Sequence, residues 1–255
     1  MISKLKSLLA HPLTKEASID APETTELRRK IILEKKFLRR IYEEWYAWIA
    51  SSLPQGEKHI LELGSGAGFV KESIPGVISS DILQTSNIDI SLDGCRLPFK
   101  DCSLGGIIMV DTFHHLPRPR GFLKEASRCI EAKGSLIMVE PWVSPWSAWV
   151  YSRLHDEPFL PQAAEWDLTP GGPLTAANSA LAWIVFERDR KIFEKEFPQW
   201  KIRSIRPMMP FRYILSGGVS LRSLAPVWSY PFWAGIERLL QPFMHNLAMF
   251  AQITI

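Results

Sequence analysis

The feature that most constrains the fold is a glycine-rich turn directly after a short apolar stretch. Ile60, Leu61 and Leu63 form the stretch, and the turn reads Glu62-Leu63-Gly64-Ser65-Gly66-Ala67-Gly68-Phe69. A short apolar run that ends in glycines is typical of a buried strand that passes into a helix. Glycines at alternate positions permit positive φ angles and let a ligand approach backbone N–H groups without an intervening Cβ atom. The turn therefore predicts a ligand at the carboxyl end of the first strand.

Strand and helix patterns alternate after this turn. We predict further strands ending near Asp81 and at 88–92, 106–110 and 135–140, with a helix at 120–130. Such alternation is typical of right-handed βαβ units in a parallel sheet that helices cover on both faces. The predicted fold class is α/β: a Rossmann-like, doubly wound, mostly parallel seven-stranded sheet with an inserted cap or lid. Ligands of this class bind at the carboxyl ends of the strands.

The sequence divides into four predicted regions. Residues 1–56, with a helical stripe over 23–52, should form an N-terminal helical cap, and 57–141 the core that carries the glycine turn. Residues 142–200 are rich in tryptophan and proline, with a helical pattern only at 178–196, so we interpret them as a substrate insertion or lid. Residues 201–255 should complete the sheet with strands at 201–208 and 249–255, separated by an apolar segment.

The core region resembles a known enzyme family. ILELGSGAGF resembles motif I of class I S-adenosylmethionine (SAM)-dependent methyltransferases. LDGCRLPFKDCSLGGIIMVDTFHHLPRPRGFLKEASRCIEAKGSLIMVEP is similar to the following segments of the type 11 group, which includes the ubiquinone/menaquinone-biosynthesis methyltransferases. The resemblance implies an enzyme whose residues 57–141 form a Rossmann-like core that binds SAM as cofactor.

The resemblance also implies which residues bind the cofactor. Those expected at the methionine end of SAM are Glu62, Gly64, Ser65, Gly66 and Gly68. Those expected at the ribose, the adenine and the floor of the site are Asp81, Asp93, Gly94, Val110 and Asp111. Two carboxylate oxygens suit the two hydroxyls of a ribose. Because the segment from Gly68 to Asp81 leaves room for only about two helical turns, Asp89 stays an alternative to Asp81.

Two histidines follow the fourth predicted strand and face the region where a methyl acceptor should lie. His114 or His115 could remove a proton from an acceptor hydroxyl. Methyl transfer can also proceed by alignment alone, so a packing role stays open for both. Further candidates, each more easily structural, are Glu140, His155, Asp156 and Glu157. The three cysteines lack metal-ligand spacing, and no metal site is expected.

Charge and motif departures limit the partners. The formal net charge is only +3, and Asp111-Thr112-Phe113-His114 differs from the D/N-P-P-Y arrangement associated with methylation of nucleic-acid or protein amide nitrogens. We therefore expect no nucleic-acid partner, but a small-molecule or lipid-like acceptor methylated on oxygen or carbon. The predicted location is cytoplasmic. Tryptophans after the fifth strand and a basic amphipathic N-terminal helix motivate a second hypothesis, contact with the inner membrane face.

Two other functions remain open at this point. An NAD-dependent oxidoreductase would also use a glycine turn on a parallel sheet, but Phe69 stands where the G-x-G-x-x-G fingerprint requires its last glycine. A non-catalytic SAM-binding protein would keep the fold and lack turnover. The oligomeric state does not follow from the sequence.

Overall fold

A seven-stranded sheet forms the centre of the computed structural model, which describes residues 20–54, 56, 58–154 and 157–255. The spatial order is β3-β2-β1-β4-β5-β7-β6. The strands are β1 His59–Leu63, β2 Ile78–Asp81, β3 Ile90–Ser91, β4 Leu104–Val110, β5 Ile130–Pro141, β6 Ser204–Met208 and β7 Phe250–Thr254.

Parallel pairing brings the carboxyl ends of β1 to β5 to one edge of the sheet. Leu61 lies opposite Ile78 of β2 and Ile107 of β4, which places β1 in the middle of the parallel part. Every residue of β4 is buried, as expected for a strand covered on both faces. β7 runs antiparallel to both β5 and β6. The predicted α/β, mostly parallel seven-stranded architecture is therefore confirmed.

Helices cover both faces of the sheet. The α-helices are α1 Pro22–Glu34, α2 Lys36–Ser52, α3 Pro119–Cys129, α4 Pro145–Leu154, α5 Leu181–Trp183, α6 Arg190–Glu196, α7 Arg212–Ser216, α8 Tyr230–Leu239 and α9 Met244–Leu247. A π-helical turn, Ile184–Arg188, joins α5 to α6. The 3₁₀ turns are Val70–Glu72, Phe113–His115, Val227–Ser229 and Gln241–Phe243. None of the helices in the described ranges is both long and apolar enough to span a bilayer.

The N-terminal helical stripe is divided in two at Lys35. Its backbone leaves the helical region, with φ −80° and ψ 86°. The ammonium Nζ donates hydrogen bonds to the carbonyl oxygens of Gly218 at 2.5 Å and Leu221 at 2.7 Å. The helix is therefore interrupted where Lys35 binds carbonyls far away in the sequence. The local pattern of apolar residues does not predict this break. α2 then packs on the sheet through Ile41, Trp45 and other fully buried side chains.

A buried ion pair joins the C-terminal part to α2. The guanidinium of Arg212 on α7 donates from Nε to Glu237 on α8 at 2.5 Å and from Nη1 to Glu44 on α2 at 2.5 Å. The Arg212 and Glu237 side chains are only 7% and 5% exposed. Burial of such charges is tolerated because each has a charged partner.

Residues 142–200 share the core of the sheet. Trp142, Trp166 and Phe186 belong to the same buried cluster as Phe113, at the end of β4. The helical pattern predicted at 178–196 is present, but its middle is the π-helical turn. The four predicted regional boundaries stay predictions.

The segment after the glycine turn contains less helix than predicted. Only the 3₁₀ turn Val70–Glu72 forms, where the sequence left room for about two helical turns. Pro75 follows closely, and a proline disfavours helical backbone at the residue before it. The short segment brings β2 back beside β1 with Asp81 at its end.

Candidate active site

The turn that leaves β1 adopts backbone geometry that requires glycine. Gly64 has a φ of +78°, and a Cβ atom there would overlap the Thr112 side chain. A Cβ atom on Gly66 would lie 2.7 Å from Oδ2 of Asp81. Hydrogen bonds from the Ser65 N–H to the Ser80 carbonyl at 2.8 Å and from the Gly68 N–H to the Ser65 carbonyl at 2.7 Å hold the turn. Thr112 and Asp81 therefore leave no room for a side chain at Gly64 or Gly66.

A cavity of about 320 Å³ opens beside this turn, at the carboxyl ends of β1, β2 and β4. Nine of the predicted cofactor residues line it: Glu62, Gly64, Gly66, Gly68, Asp81, Asp93, Gly94, Val110 and Asp111. Ser65 is buried behind the turn, where its hydroxyl donates to Glu62. The predicted residues thus come together around one space, with Ser65 as a support of the turn.

Glu62 is a buried acid at the base of the cavity, 3% exposed. Burial, together with the nearby charge of Asp81, raises the pKa of its carboxyl from 4.5 to about 7. The Ser65 hydroxyl opposes this shift by donating a hydrogen bond. A cationic ligand in the cavity would favour the ionised form of Glu62.

Asp81 and not Asp89 reaches the cavity. Oδ2 of Asp81 accepts the Gly66 N–H at 2.9 Å, and Oδ1 accepts the Leu83 N–H at 2.9 Å. Burial raises the pKa of Asp81 above its usual value. Asp89 instead accepts from Lys71 at 2.6 Å and from the Ser79 N–H at 2.9 Å. The geometry favours Asp81 as the residue that meets a ligand.

The segments after β3 and β4 supply two further acids, Asp93 and Asp111, and the small residue Gly94. Oδ1 of Asp93 accepts the Cys95 N–H at 2.8 Å, which directs this loop along the cavity. A Cβ atom on Gly94 would lie 2.8 Å from the Leu63 side chain, so the wall is close-packed there. Asp111 has a φ of +56°, and its N–H donates to the Val139 carbonyl at 2.8 Å. Burial raises the pKa of the Asp111 carboxyl to about 7.

The two histidines have different positions. His115 lines the cavity, and His114 does not. Nδ1 of His114 lies 2.8 Å from Oε2 of Glu140, and its Nε2 lies 3.3 Å from Oε2 of Glu157. Burial by itself would lower the pKa of His114, but the hydrogen bonds to Glu140 and Glu157 raise it well above its usual value. Burial and the neighbouring His114 lower the pKa of His115 to about 3.

Glu140 and Glu157 surround this histidine pair. Oε1 of Glu140 accepts the N–H groups of Thr112 at 2.8 Å and Phe113 at 2.7 Å, which fixes the 3₁₀ turn that carries the histidines. Glu157 lines the cavity. The other two sequence candidates in this region, His155 and Asp156, lie outside the described residues.

Residues of α1, α2, α7 and the turn after α7 close the cavity, and the sequence analysis did not assign them to the site. They are Thr25, Arg28, Tyr42, Tyr46, Tyr213 and Ser220. The hydroxyl of Tyr46 accepts the Phe69 N–H at 3.2 Å, so α2 contacts the glycine turn directly. Tyr42 and Tyr46 are four positions apart on one helix, a spacing that indicates packing and gives no sign of a ligand.

A second cavity of about 230 Å³ adjoins the first. The residues common to both linings are Arg28, Glu157, Leu174, Tyr213, Val219 and Ser220. The remaining walls are mostly apolar and include Val150, Leu154, Ile214, Leu221 and Met249. The cavity at the strand ends, which holds the acids and glycines, therefore adjoins a second cavity under the C-terminal part whose own side-chain walls are mostly aliphatic.

Comparisons with known proteins identify the fold and the domain. The fold is similar to that of a SAM-dependent methyltransferase, a possible histamine N-methyltransferase, from Thermotoga maritima, with 15% identity, 91% of this chain and 97% of that chain covered, and a TM-score of 0.51. Geranyl diphosphate C-methyltransferase from Streptomyces coelicolor A3(2), solved with Mg²⁺, geranyl diphosphate and S-adenosyl-L-homocysteine, matches at 12% identity over 94% and 87% of the two chains, with a TM-score of 0.47. No curated protein sequence matches the chain.

Residues 61–138 match a family model described as a methyltransferase domain. The matched residues contain the end of β1, the glycine turn, β4 and most of β5. This match confirms the predicted resemblance of the core to class I SAM-dependent methyltransferases of the type 11 group. SAM is the methyl donor of this class, and the acids and bare backbone that line the larger cavity fit its sulfonium, its amino-acid tail and its ribose.

Proposed function

We propose that the protein transfers the methyl group of SAM to an oxygen or carbon nucleophile of a small or lipid-like acceptor. The observation that carries the proposal is the continuity of the two cavities. One is lined by the acids and glycines of the strand ends, and the other is mostly apolar. A donor and an acceptor bound in them would meet near Glu157 and Tyr213, which line both.

The larger cavity supports the donor assignment residue by residue. Glu62 lies below the glycine turn on the side proposed for the amino-acid tail. Asp81 and Asp93 line the same cavity, and we assign Asp81 to the ribose hydroxyls and Asp93 to the adenine. Val110 and Asp111 form the floor at the end of β4. When bound, SAM supplies a methyl group made electrophilic by its sulfonium sulfur.

The chain's own contribution to the reaction is alignment and exclusion of water. The new bond joins the acceptor oxygen or carbon to the methyl carbon, and the methyl–sulfur bond breaks with its electron pair returning to sulfur. The acceptor releases one proton, which passes to solvent water. Of the two histidines predicted as catalytic, His115 lies at the cavity and His114 stands behind it. We therefore propose His115 as the imidazole nearest the acceptor and His114 as a positioning residue.

The smaller cavity supports an apolar acceptor. Its side-chain walls come mainly from aliphatic residues of α4, α7 and the loop after α7. Arg28 on α1 lines both cavities and supplies a positive charge to the lining of the smaller one. An acceptor with an apolar body and one anionic or hydroxyl group would match these walls.

Calorimetry and a turnover assay test the proposal together. We expect the protein to bind S-adenosylhomocysteine and to transfer a labelled methyl group to at least one member of a panel of isoprenoid and phenolic acceptors. S-Adenosylhomocysteine binding without turnover across the panel would favour the non-catalytic alternative. Thermal stabilisation by NAD and not by S-adenosylhomocysteine would favour an oxidoreductase and refute the proposal.

We further propose that the protein contacts a membrane surface through the segment around α8. Trp228, Phe232, Leu239 and Phe243 are 80%, 64%, 80% and 54% exposed. The exposed charged side chains of 221–249 are Arg222 and Arg238, because Glu237 is buried against Arg212. Exposed aromatic and aliphatic side chains beside arginines suit the headgroup region of an anionic leaflet. The location predicted for the protein stays cytoplasmic.

Co-sedimentation with phosphatidylcholine vesicles with and without phosphatidylserine tests the membrane contact. We expect the wild-type protein to pellet with the anionic vesicles and the Trp228→Ser/Phe232→Ser variant to stay in the supernatant. Ile192→Ser is the matched control, because Ile192 is a 44% exposed aliphatic residue on α6. Full recovery of the wild-type protein in the supernatant would refute this part.

A further inference from the structure

His114, His115 and Glu157 bring their side-chain nitrogen and oxygen atoms together at one point beside the two cavities. One ring nitrogen of each histidine and one carboxylate oxygen of Glu157 all lie within 4.8 Å of one another. The three residues come from the 3₁₀ turn after β4 and from the loop after α4. We propose that they bind a divalent transition-metal ion such as Zn²⁺, which departs from the sequence-based expectation that no metal is bound.

The hydrogen bonds of His114 orient its ring for metal binding. Nδ1 lies 2.8 Å from the buried Glu140 carboxylate, which can only accept when ionised, so this nitrogen carries the proton. Nε2 faces Glu157 at 3.3 Å, and a bound ion would take the place of the proton at this nitrogen. A metal-bound histidine commonly donates its other ring N–H to a carboxylate or a carbonyl, which fixes the ring and makes it a better ligand. Glu140, held by two backbone N–H groups, has this role.

His115 repeats the arrangement with a backbone carbonyl. Its Nδ1 lies 3.3 Å from the carbonyl oxygen of Ala176, which can only accept, so Nδ1 is the donor. The lone pair of Nε2 then faces Oε1 of Glu157 at 3.8 Å. Two acceptor atoms facing each other repel, and a cation bound between them would remove the repulsion. The rings of His114 and His115 lie side by side, with centroids 4.2 Å apart.

The charges around the group also favour a cation. The charges of Glu140 and Glu157 act on the carboxyl group of Asp111, as do the opposite charges of Arg28 and, while it is protonated, of His114. Glu140 is fully buried, and Glu157, which also accepts the Ser179 hydroxyl at 3.4 Å, is 21% exposed. Carboxyl groups that lie close together and away from water favour nearby positive charge. A divalent ion at Nε2 of both histidines would supply it.

Two imidazoles and one carboxylate are a ligand set that Zn²⁺ and Fe²⁺ accept while keeping open positions. Bonds of about 2.0–2.2 Å place neighbouring ligand atoms of such an ion about 3.0–3.5 Å apart. The Glu157 separations of 3.3 and 3.8 Å are therefore close to those required. Because Glu157 lines both cavities, an open position would face the acceptor and supply a Lewis acid there. This last role rests on the proposed function, and the ion binding does not.

Metal binding can be measured without any turnover. The full chain, stripped with a chelator and dialysed against Zn²⁺, should retain about one ion per chain by elemental analysis, and Co²⁺ should give the absorption bands of a tetrahedral or five-coordinate site. Glu157→Gln removes a ligand charge at nearly constant shape, and His115→Gln removes an imidazole at a partly exposed position. Each should weaken Zn²⁺ binding by at least about tenfold.

His245→Ala is the matched control, because His245 is an exposed histidine on α9. It should leave the affinity for Zn²⁺ unchanged. A stripped protein that binds no Zn²⁺, or Glu157→Gln and His115→Gln variants that bind it as tightly as the wild type, would overturn the proposal. S-Adenosylhomocysteine binding is measured on the same stripped samples. Its presence without Zn²⁺ binding would reject the metal site alone, and Zn²⁺ binding without it would reject the donor site alone.

Discussion

Asp81 accepts the N–H of Gly66 at 2.9 Å, so the acid at the end of β2 is joined to the turn that leaves β1. Two residues 15 positions apart in the sequence thus form one wall of the larger cavity. The position of each depends on the other. Substitutions at either one should act on ligand binding before they act on folding.

Gly66→Ala should reduce the affinity for S-adenosylhomocysteine by at least about tenfold, or about 1.4 kcal/mol. The added Cβ atom would lie 2.5 Å from Cγ2 of Thr25 and 2.7 Å from Oδ2 of Asp81, so one of these side chains must move into the cavity. Calorimetry measures the loss. Gly235→Ala is the control, because no atom lies within 4 Å of its added Cβ. Equal affinity of the Gly66→Ala and wild-type proteins would contradict the donor assignment.

Asp81→Asn should weaken S-adenosylhomocysteine binding by about 10- to 100-fold, since a hydrogen bond to a charged group contributes about 1.5–3 kcal/mol. The new amide can present its N–H to Gly66 or to a ribose hydroxyl in place of an acceptor. Asp89→Asn is the matched change at the alternative residue, and we expect an effect below about twofold because Asp89 faces Lys71 and Ser79. The reverse ranking in calorimetry would assign the ribose to Asp89.

Glu62 should make the stability of the ligand-free protein fall as the pH rises from 4.5 to about 7, because burial raises its pKa over that range. Between these values the unfolded chain ionises Glu62 while the folded chain retains the proton, so each unit of increasing pH lowers the unfolding free energy by up to about 1.4 kcal/mol. This contribution of Glu62 to the unfolding free energy is complete below pH 4.5 and is lost above about pH 7.

Glu62→Gln, which cannot ionise, should flatten this part of the pH profile. Urea unfolding at several pH values, compared between wild type and variant, measures the change. Other acids contribute equally to both proteins and cancel in the difference. The exposed Glu187→Gln variant should keep the wild-type slope. A Glu62→Gln profile as steep as that of wild type would show that Glu62 keeps an ordinary pKa.

Arg212→Leu should lower the unfolding free energy by about 3–5 kcal/mol, because it leaves Glu237 buried without its charged partner. The matched control is Arg190→Leu, which breaks an ion pair with Glu194 whose side chains are 45% and 52% exposed and should cost less than about 1 kcal/mol. Denaturant titration measures the free energy of unfolding of both variants. Adding Glu237→Leu to Arg212→Leu should restore part of the loss, and a further loss would argue against a charge effect.

Residues close to the strand ends were predictable from sequence because their signals are local. A glycine turn after an apolar strand and an acid at the end of the next strand both follow from chain order. Parallel pairing alone brings Gly66, Asp81, Asp93 and Asp111 to one edge. No information from distant parts of the chain is needed to place them together.

The remaining walls of the site depend on contacts over long sequence distances. Tyr46 reads as one more apolar residue of an amphipathic helix, and only the folded chain places its hydroxyl on the Phe69 N–H. The pairing of His114 with Glu140 joins residues 26 positions apart, and the strand pattern gives no sign that Glu140 points toward the turn. The break at Lys35 likewise depends on carbonyls of the C-terminal part.

Lys35 donates hydrogen bonds to the carbonyls of Gly218 and Leu221, 183 and 186 positions later, and both residues line the smaller cavity. Such a contact closes a very long loop, which costs more chain entropy than a contact between strands that are neighbours in the sequence. We expect it to form late in folding. A fragment limited to residues 61–138 would retain the turn on β1 and lack this wall altogether. Substitutions around Lys35 and Leu221 can therefore reshape the smaller cavity, while the hydrogen bond between Gly66 and Asp81 stays in place.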